Sequence, residues 1–251
     1  MKLPEKIYLT VPTSWAELND NQLYYIFGLF ADNLSSAQIK AYCFFTWSGT
    51  KLLCRYGDGY LAKRGKEEFT LTSAVVASAI HALDWVDVLP DIPVRISKIK
   101  GAKAAEPTLV GFAFERYLYC ENLYQGYLQT QQHHLLNEMA HLLYDSDKIT
   151  PNQAEKIGIF YWWMGLKSYY ARQFPHFFQS VSDNANLLHA NVNRPPTSAE
   201  LQQAMNAQIR ALTKGDVTKE SQILAMDTWR ALVELDAQAR EYEEINKTMK
   251  K

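Results

Sequence analysis

The sequence predicts a mainly α protein: a helical bundle with a small β-hairpin insertion and a C-terminal helical segment. Three observations carry that expectation. Side-chain oxygens recur three residues ahead of Glu or Gln, the capping-box spacing that opens a helix. Apolar residues then repeat every three to four positions. Only between Lys51 and Thr72 does the period fall to two, around Gly57-Asp58-Gly59.

Ile7 to Val11 (IYLTV) is a short β-rich run stopped by Pro12. Ser14 with Glu17, Asn19 with Gln22 and Ser35 with Gln38 place helices near 14–18, 20–31 and 35–47. Leu23, Ile26, Phe27 and Phe30 form the buried stripe of the second. KLLCRY, YLAKR and EFTLT read as strands, with Asp-Gly supplying the positive φ of a hairpin. Helix resumes over Ser73 to Val86. Leu89 to Pro107, with three prolines and Arg95, Lys98, Lys100 and Lys103, reads as an exposed connection with a strand at Val94 to Ile99.

Phe112 to Thr130 and Gln131 to Tyr144 are two helices or one bent helix, with Phe114, Tyr117, Leu118, Leu128, Leu135, Met139 and Leu142 available to the core. Thr150-Pro151 starts a long helix to about Phe174, since Pro in the first helical position loses no needed hydrogen bond. It is apolar on nearly all sides, with Phe160, Trp162 and Trp163, and is expected at the centre of the bundle. Residues 183–196 (DNANLLHANVNRPP) are the expected linker between a body, 1–182, and a helical interaction segment, 197–251. In that segment Thr197 with Glu200 caps one helix, closed by Gly215. A last helix runs from about Thr218 to Lys247, with Met226, Trp229, Val233, Tyr242 and Ile245 as its stripe.

Of the 251 residues 47% are hydrophobic, enough to build a core, which excludes wholesale disorder. The net charge of -1 removes a whole-chain pull on nucleic acid or an anionic membrane. The charged N-terminus lacks the apolar stretch of a secretory signal, so a cytosolic protein is expected. The most apolar run, Ile157 to Leu166, is far short of the roughly 20 residues of a membrane helix. Cys43, Cys54 and Cys120 lack C-x-x-C spacing and read as reduced thiols.

Tests for chemistry return little. His134, Glu138 and His141 share a helix face, as carboxylate-bridged metal sites require, but no second Glu-x-x-His accompanies them, so no metal is expected. No G-x-S-x-G elbow occurs, and the glycines at 57, 59 and 65 miss the phosphate-loop spacing. Neither a cofactor nor an enzymatic role is expected. Lys51, Arg55, Lys63, Arg64 and Lys66 beside Tyr56 and Tyr60 support an alternative, a nucleic-acid-binding accessory protein using hairpin 51–66. Basic strands also protect a sheet edge from aggregation. The cluster Tyr169, Tyr170, Phe174, His176, Phe177 and Phe178 reads as core.

Four stretches, TSWAELNDNQLYYIFGLFAD, ERYLYCENLYQGYLQ, YWWMGLKSYYARQFPHFF and the run from AMNAQIRALTKGDVTKE to AREYEE, together about half the chain, resemble proteins encoded in prophage tail-morphogenesis regions of gut bacteria. That family is similar to tail-assembly chaperones. The resemblance implies a non-enzymatic helical protein in the host cytoplasm that assists tail assembly, with the tape-measure or tail-tube protein as partner. It carries over no catalytic residues. The expected contacts are Trp229, Leu232, Val233 and Tyr242, on an arm that docks on the bundle, on a second copy as a homo-oligomer, or on a tail partner.

Overall fold

The computed structural model describes residues 9–32, 34–178 and 197–249. It is mainly α with two small antiparallel sheets. Two compact units divide it: Met1–Pro90 with Gln153–Ile157, and Asp91–Asn152 with Gly158–Lys251. This differs from the body, linker and arm expected from sequence. The 183–196 linker lies outside the described residues, and the segment after it packs within the second unit.

The first unit opens on a 3₁₀ turn, Trp15–Glu17, followed by helices α1 (Asp20–Ala31) and α2 (Ser36–Trp47). Both helices start where their capping boxes predict: Asn19 and Gln22 exchange side-chain and backbone bonds, and Ser35 and Gln38 do the same. Residues 7 and 8 of the expected first strand lie outside the described residues, and 9–11 are irregular. Strands β1 (Thr50–Tyr56), β2 (Gly59–Arg64) and β3 (Glu67–Thr72) form an antiparallel meander in sequence order. The turn glycine is Gly57, at φ +59°, and Gly65 plays the same part at φ +61° before β3. Glycine in the first central position is the pattern of a type II′ turn, whose twist suits a hairpin. Gly59 serves another purpose. A Cβ there would meet the Leu71 carbonyl oxygen at 2.1 Å, so the close pairing of β2 with β3 excludes any side chain.

Helix α3 (Ser73–His81) follows β3 directly and stops short of the expected Val86, giving way to a 3₁₀ turn at Asp84–Asp87. That turn is tied down from two sides. The Trp15 indole N–H donates to the carbonyls of Trp85 (3.2 Å) and Val88 (2.8 Å), while the buried Lys40 ammonium meets Asp84 and Asp87 at 2.5 Å each.

The second unit opens on the stretch expected to be an exposed connection. Instead Ile96, Ile99, Ala104 and Leu109 are buried. A two-residue pair, β4 (Lys98–Ile99) with β5 (Ala102–Lys103), turns on Lys100 and Gly101, both at positive φ. Arg95 donates to the Ala105 carbonyl, its guanidinium lies 5.9 Å from the Trp162 ring centre, and Tyr144 donates to Ile96. Helices α4 (Phe114–Thr130) and α5 (His134–Leu143) are separate, broken at Gln131, which takes φ +55°.

Helix α6 (Gln153–Gln173) begins two residues after Pro151 rather than at it. Trp162 and Trp163 are fully buried, as their apolar surroundings in sequence predict; Phe160 is half-buried, stacked on Tyr124. Trp162 donates to the Pro107 carbonyl and Tyr170 to that of Thr108. Trp163 donates to Glu121, which also accepts from Lys167 and Gln125. Helix α7 (Ser198–Thr213) starts with the expected Thr197–Glu200 box; it ends at Lys214 and Gly215, both at positive φ. The last stretch is not one helix. A short α8 (Glu220–Leu224) precedes α9 (Thr228–Met249).

Candidate interaction surface

Helix α9 begins where Asp227 receives the amide of Arg230 on its carboxylate and the amide of Gly111 on its other oxygen. The flanking backbone pairs with the segment before α4: Phe114 donates to Met226, and Thr228 donates to Phe112 through its amide and its hydroxyl. These bonds fix the rotation of the helix. Thr228, Ala231, Leu232 and Leu235 therefore face inward and are buried. Trp229 packs against Tyr169, Tyr170 and Phe174, nearest at 4.9 Å between ring centres; of the aromatic cluster expected to be core, Tyr170, Phe174 and Phe177 are buried and Tyr169, His176 and Phe178 are half-buried. Farther along, Asp236 accepts the Phe177 amide, and Glu243 lies 3.3 Å from His176.

The four residues expected to meet a partner thus part company. Leu232 has no exposed surface and Trp229 is engaged within its own unit, so neither presents itself outward here. Val233 and Tyr242 are exposed, at 47% and 66%. They sit on opposite sides of the helix, because nine residues at about 100° each bring the chain round by a half-turn beyond two full ones. The expected single stripe through Met226, Trp229, Val233, Tyr242 and Ile245 fails for the same reason.

A different stripe is present. Thr228, Ala231, Leu235, Gln238, Tyr242, Ile245 and Met249 alternate at steps of three and four and share one face. Its first part is buried; Tyr242, Ile245 (52%) and Met249 (79%) lie bare. Ile245 belongs to the expected stripe as well; Met249 follows it at i+4 but lies past the expected helix end near Lys247. Glu241, one turn before Ile245, flanks the bare end, while Arg240 and Lys247 fall on the opposite face.

The sheet of the first unit is the second apolar exposure. Every residue of β1 after Thr50 is exposed, Leu52, Leu53 and Tyr56 among them. Register separates the basic residues expected to hold nucleic acid. Lys51 pairs with Lys63 and then Glu68 across the sheet, whereas Arg64 pairs with Glu67 and belongs to the other face. Two acids thus sit cross-strand from two of the five bases, and the five do not form one stripe.

The remaining candidates are placed as follows. His134 and Glu138 are exposed on α5; His141 directs Nε2 to the Ile149 carbonyl at 3.0 Å and has Glu138 3.7 Å from Nδ1. No three His, Cys, Asp or Glu side chains converge on a metal position among the described residues. Cys43 and Cys120 are buried and Cys54 is exposed. Burial pushes the Cys43 thiol up to about 12 and that of Cys120 higher still, so both are inert as nucleophiles at neutral pH. No helix among the described residues is long and apolar enough to cross a membrane.

No family model, curated protein or solved structure matches this chain.

Proposed function

We propose that this protein acts by binding another protein, as a non-enzymatic assembly factor, and that the outer end of α9 is the surface it uses. One observation carries the reading: the seam that buries Thr228, Ala231 and Leu235 continues as bare Tyr242, Ile245 and Met249. Aromatic side chains supply large contact areas at low ordering cost, Met adapts its shape to the surface it meets, and an amphipathic helix fits a partner's apolar groove through such a series. Tyr242 stays among the proposed contacts, with Val233 as a secondary one on the back of the helix. The partner class comes from the sequence resemblance alone. It implies a phage tail protein, the tape-measure or the tail-tube subunit, met in the host cytoplasm.

The test is co-purification of the full chain with co-expressed tape-measure or tail-tube protein. The double change Tyr242→Ser and Ile245→Ser should reduce capture at least about tenfold, the loss of one hot spot, without moving the melting temperature. Undiminished capture by a folded double variant rejects this surface.

A further inference from the structure

We infer that the outer edge of strand β1 takes an added antiparallel strand from a partner protein, an extended acidic segment with the order apolar, acid, any residue, apolar, acid. This surface is independent of α9. β1 ends the sheet on one side, and among the described residues its outer backbone groups bond no other backbone. Such an edge is a template for a further strand through its N–H and C=O groups. Lysines and a bulge also serve to blunt an edge, but a blunted edge is short and polar. β1 is the longest of the three strands, seven residues against six and six, and bares Leu52, Leu53 and Tyr56 at 41%, 47% and 64%.

Register names the occupant. Lys51 stands opposite Lys63, with Glu68 beyond it, so the row across the sheet runs acid, base, base and stops at the edge. Like charges directly opposite are destabilising, and an acid on an added strand completes the row. Arg55 stands opposite Tyr60, with Leu71 beyond it, and has no acid in its row either. Lys63 and Tyr60 are three residues apart on a regular strand, so Lys51 and Arg55 lie on opposite faces of the sheet. One flat charged surface cannot meet both. A strand at the edge does, because its own side chains alternate between the same two faces and acids three residues apart reach one cation each. Leu52 is level with Ala62 on the Arg55 face, next to the bulge residue Leu53, and Tyr56 is on the Lys51 face. Read antiparallel, the added strand presents an apolar residue to Tyr56, an acid to Arg55, an apolar residue to Leu52 and an acid to Lys51.

Fluorescence anisotropy of a labelled peptide with the core Val-Glu-Thr-Val-Glu, titrated with the full chain, tests this. Saturable binding is expected, weakening as salt rises. Lys51→Glu with Arg55→Glu, both at exposed positions, should weaken it at least about tenfold, and a peptide with Lys in place of both Glu should bind that variant instead. Two further peptides, N-methylated at alternate residues in the two possible phases, separate strand pairing from plain charge attraction. One phase should lose binding and the other keep it, since successive amides of a strand point to opposite sides. In the unaltered chain, saturating peptide should slow maleimide labelling of Cys54, exposed near the middle of the edge.

A chain that does not bind the acidic peptide, a charge-reversed variant that binds it as before, equal effects of the two methylations, or Cys54 labelling that ignores the peptide overturns the inference. So does displacement of the peptide by single-stranded oligothymidylate as readily as by its own unlabelled form, which marks the edge as a polyanion surface. Self-association that withholds the edge from the peptide assigns β1 to a second copy and rejects the partner strand. Tyr242→Ser with Ile245→Ser should leave peptide binding unchanged, so the reading of α9 and this one fail separately.

Discussion

The Thr228 hydroxyl donates to the Phe112 carbonyl oxygen at 2.7 Å, joining positions 116 residues apart in sequence. The Thr228 amide reaches the same oxygen at 2.8 Å, so one buried acceptor is held twice. Around this staple the start of α9 is part of the second unit's interior.

Neighbouring residues of α9 should therefore respond in opposite ways to truncation. Leu232→Ala removes a fully buried side chain and should cost about 2–5 kcal/mol; Val233→Ala, next to it but exposed, should stay within about 0.5 kcal/mol. Thr228→Val should cost about 1 kcal/mol, because the amide still serves the Phe112 oxygen. Denaturant midpoints measure all three. Deleting 197–251 should abolish the cooperative transition of the second unit, and a truncated chain that keeps it would show the segment to be separable.

On α6, depth should order the costs. Trp163→Ala empties a fully buried site and strands the Glu121 oxygen that its indole served, so about 3–5 kcal/mol is expected. Phe160→Ala, half-buried against Tyr124 and Tyr127, should cost less. Equal losses would contradict the orientation of the helix.

Thiol titration and alkaline unfolding follow from burial. One of three thiols, Cys54, should react in the folded protein and all three after denaturation. Burial raises Cys43 from 9.0 to about 12 and raises Cys120, Tyr117 and Tyr170 as well. These groups stay protonated in the fold when their unfolded counterparts have ionised. Stability is thus fully present below the unfolded thiol value of 9.0 and falls as pH rises from there toward 12. A denaturant midpoint unchanged between pH 8 and about pH 10.5 would contradict the burial of these groups.

What sequence reveals depends on how local the cause is. The Asn19–Gln22, Ser35–Gln38 and Thr197–Glu200 boxes each act over three residues, and each helix starts beside them. The mainly α class and the small sheet follow from equally local periodicities. The start of α9 does not. The local signal there is a single N-cap, Asp227, which accepts the Arg230 amide; with neither Gly nor Pro beside it and Arg rather than Glu or Gln at 230, it stands out little in the sequence. Gly111, Phe112 and Phe114, more than a hundred residues away, hold the same break from outside. Reading 218–247 as one helix carries Met226 into the stripe and stops short of Met249, while grouping Val233 with Tyr242 goes against their own nine-residue spacing. Likewise, Ile96 and Ile99 sit among prolines and lysines that suggest solvent, whereas distant Tyr144, which donates to the Ile96 carbonyl, ties the stretch inward.

The Phe112–Thr228 staple also sets a schedule for synthesis. The first unit draws nearly all its residues from the first ninety, and so is mostly on hand early. The second begins at Asp91 yet lacks part of its interior until Leu235 has been translated, an interval of roughly 7–30 s at ordinary ribosomal speeds. For that time Phe174 and Tyr170 lack the Trp229 ring that packs on them, and Phe112 lacks the strand-like pairing that holds it. The nascent chain is most exposed to aggregation in that interval, and slowing translation just before codon 228 should prolong its association with ribosome-bound chaperones.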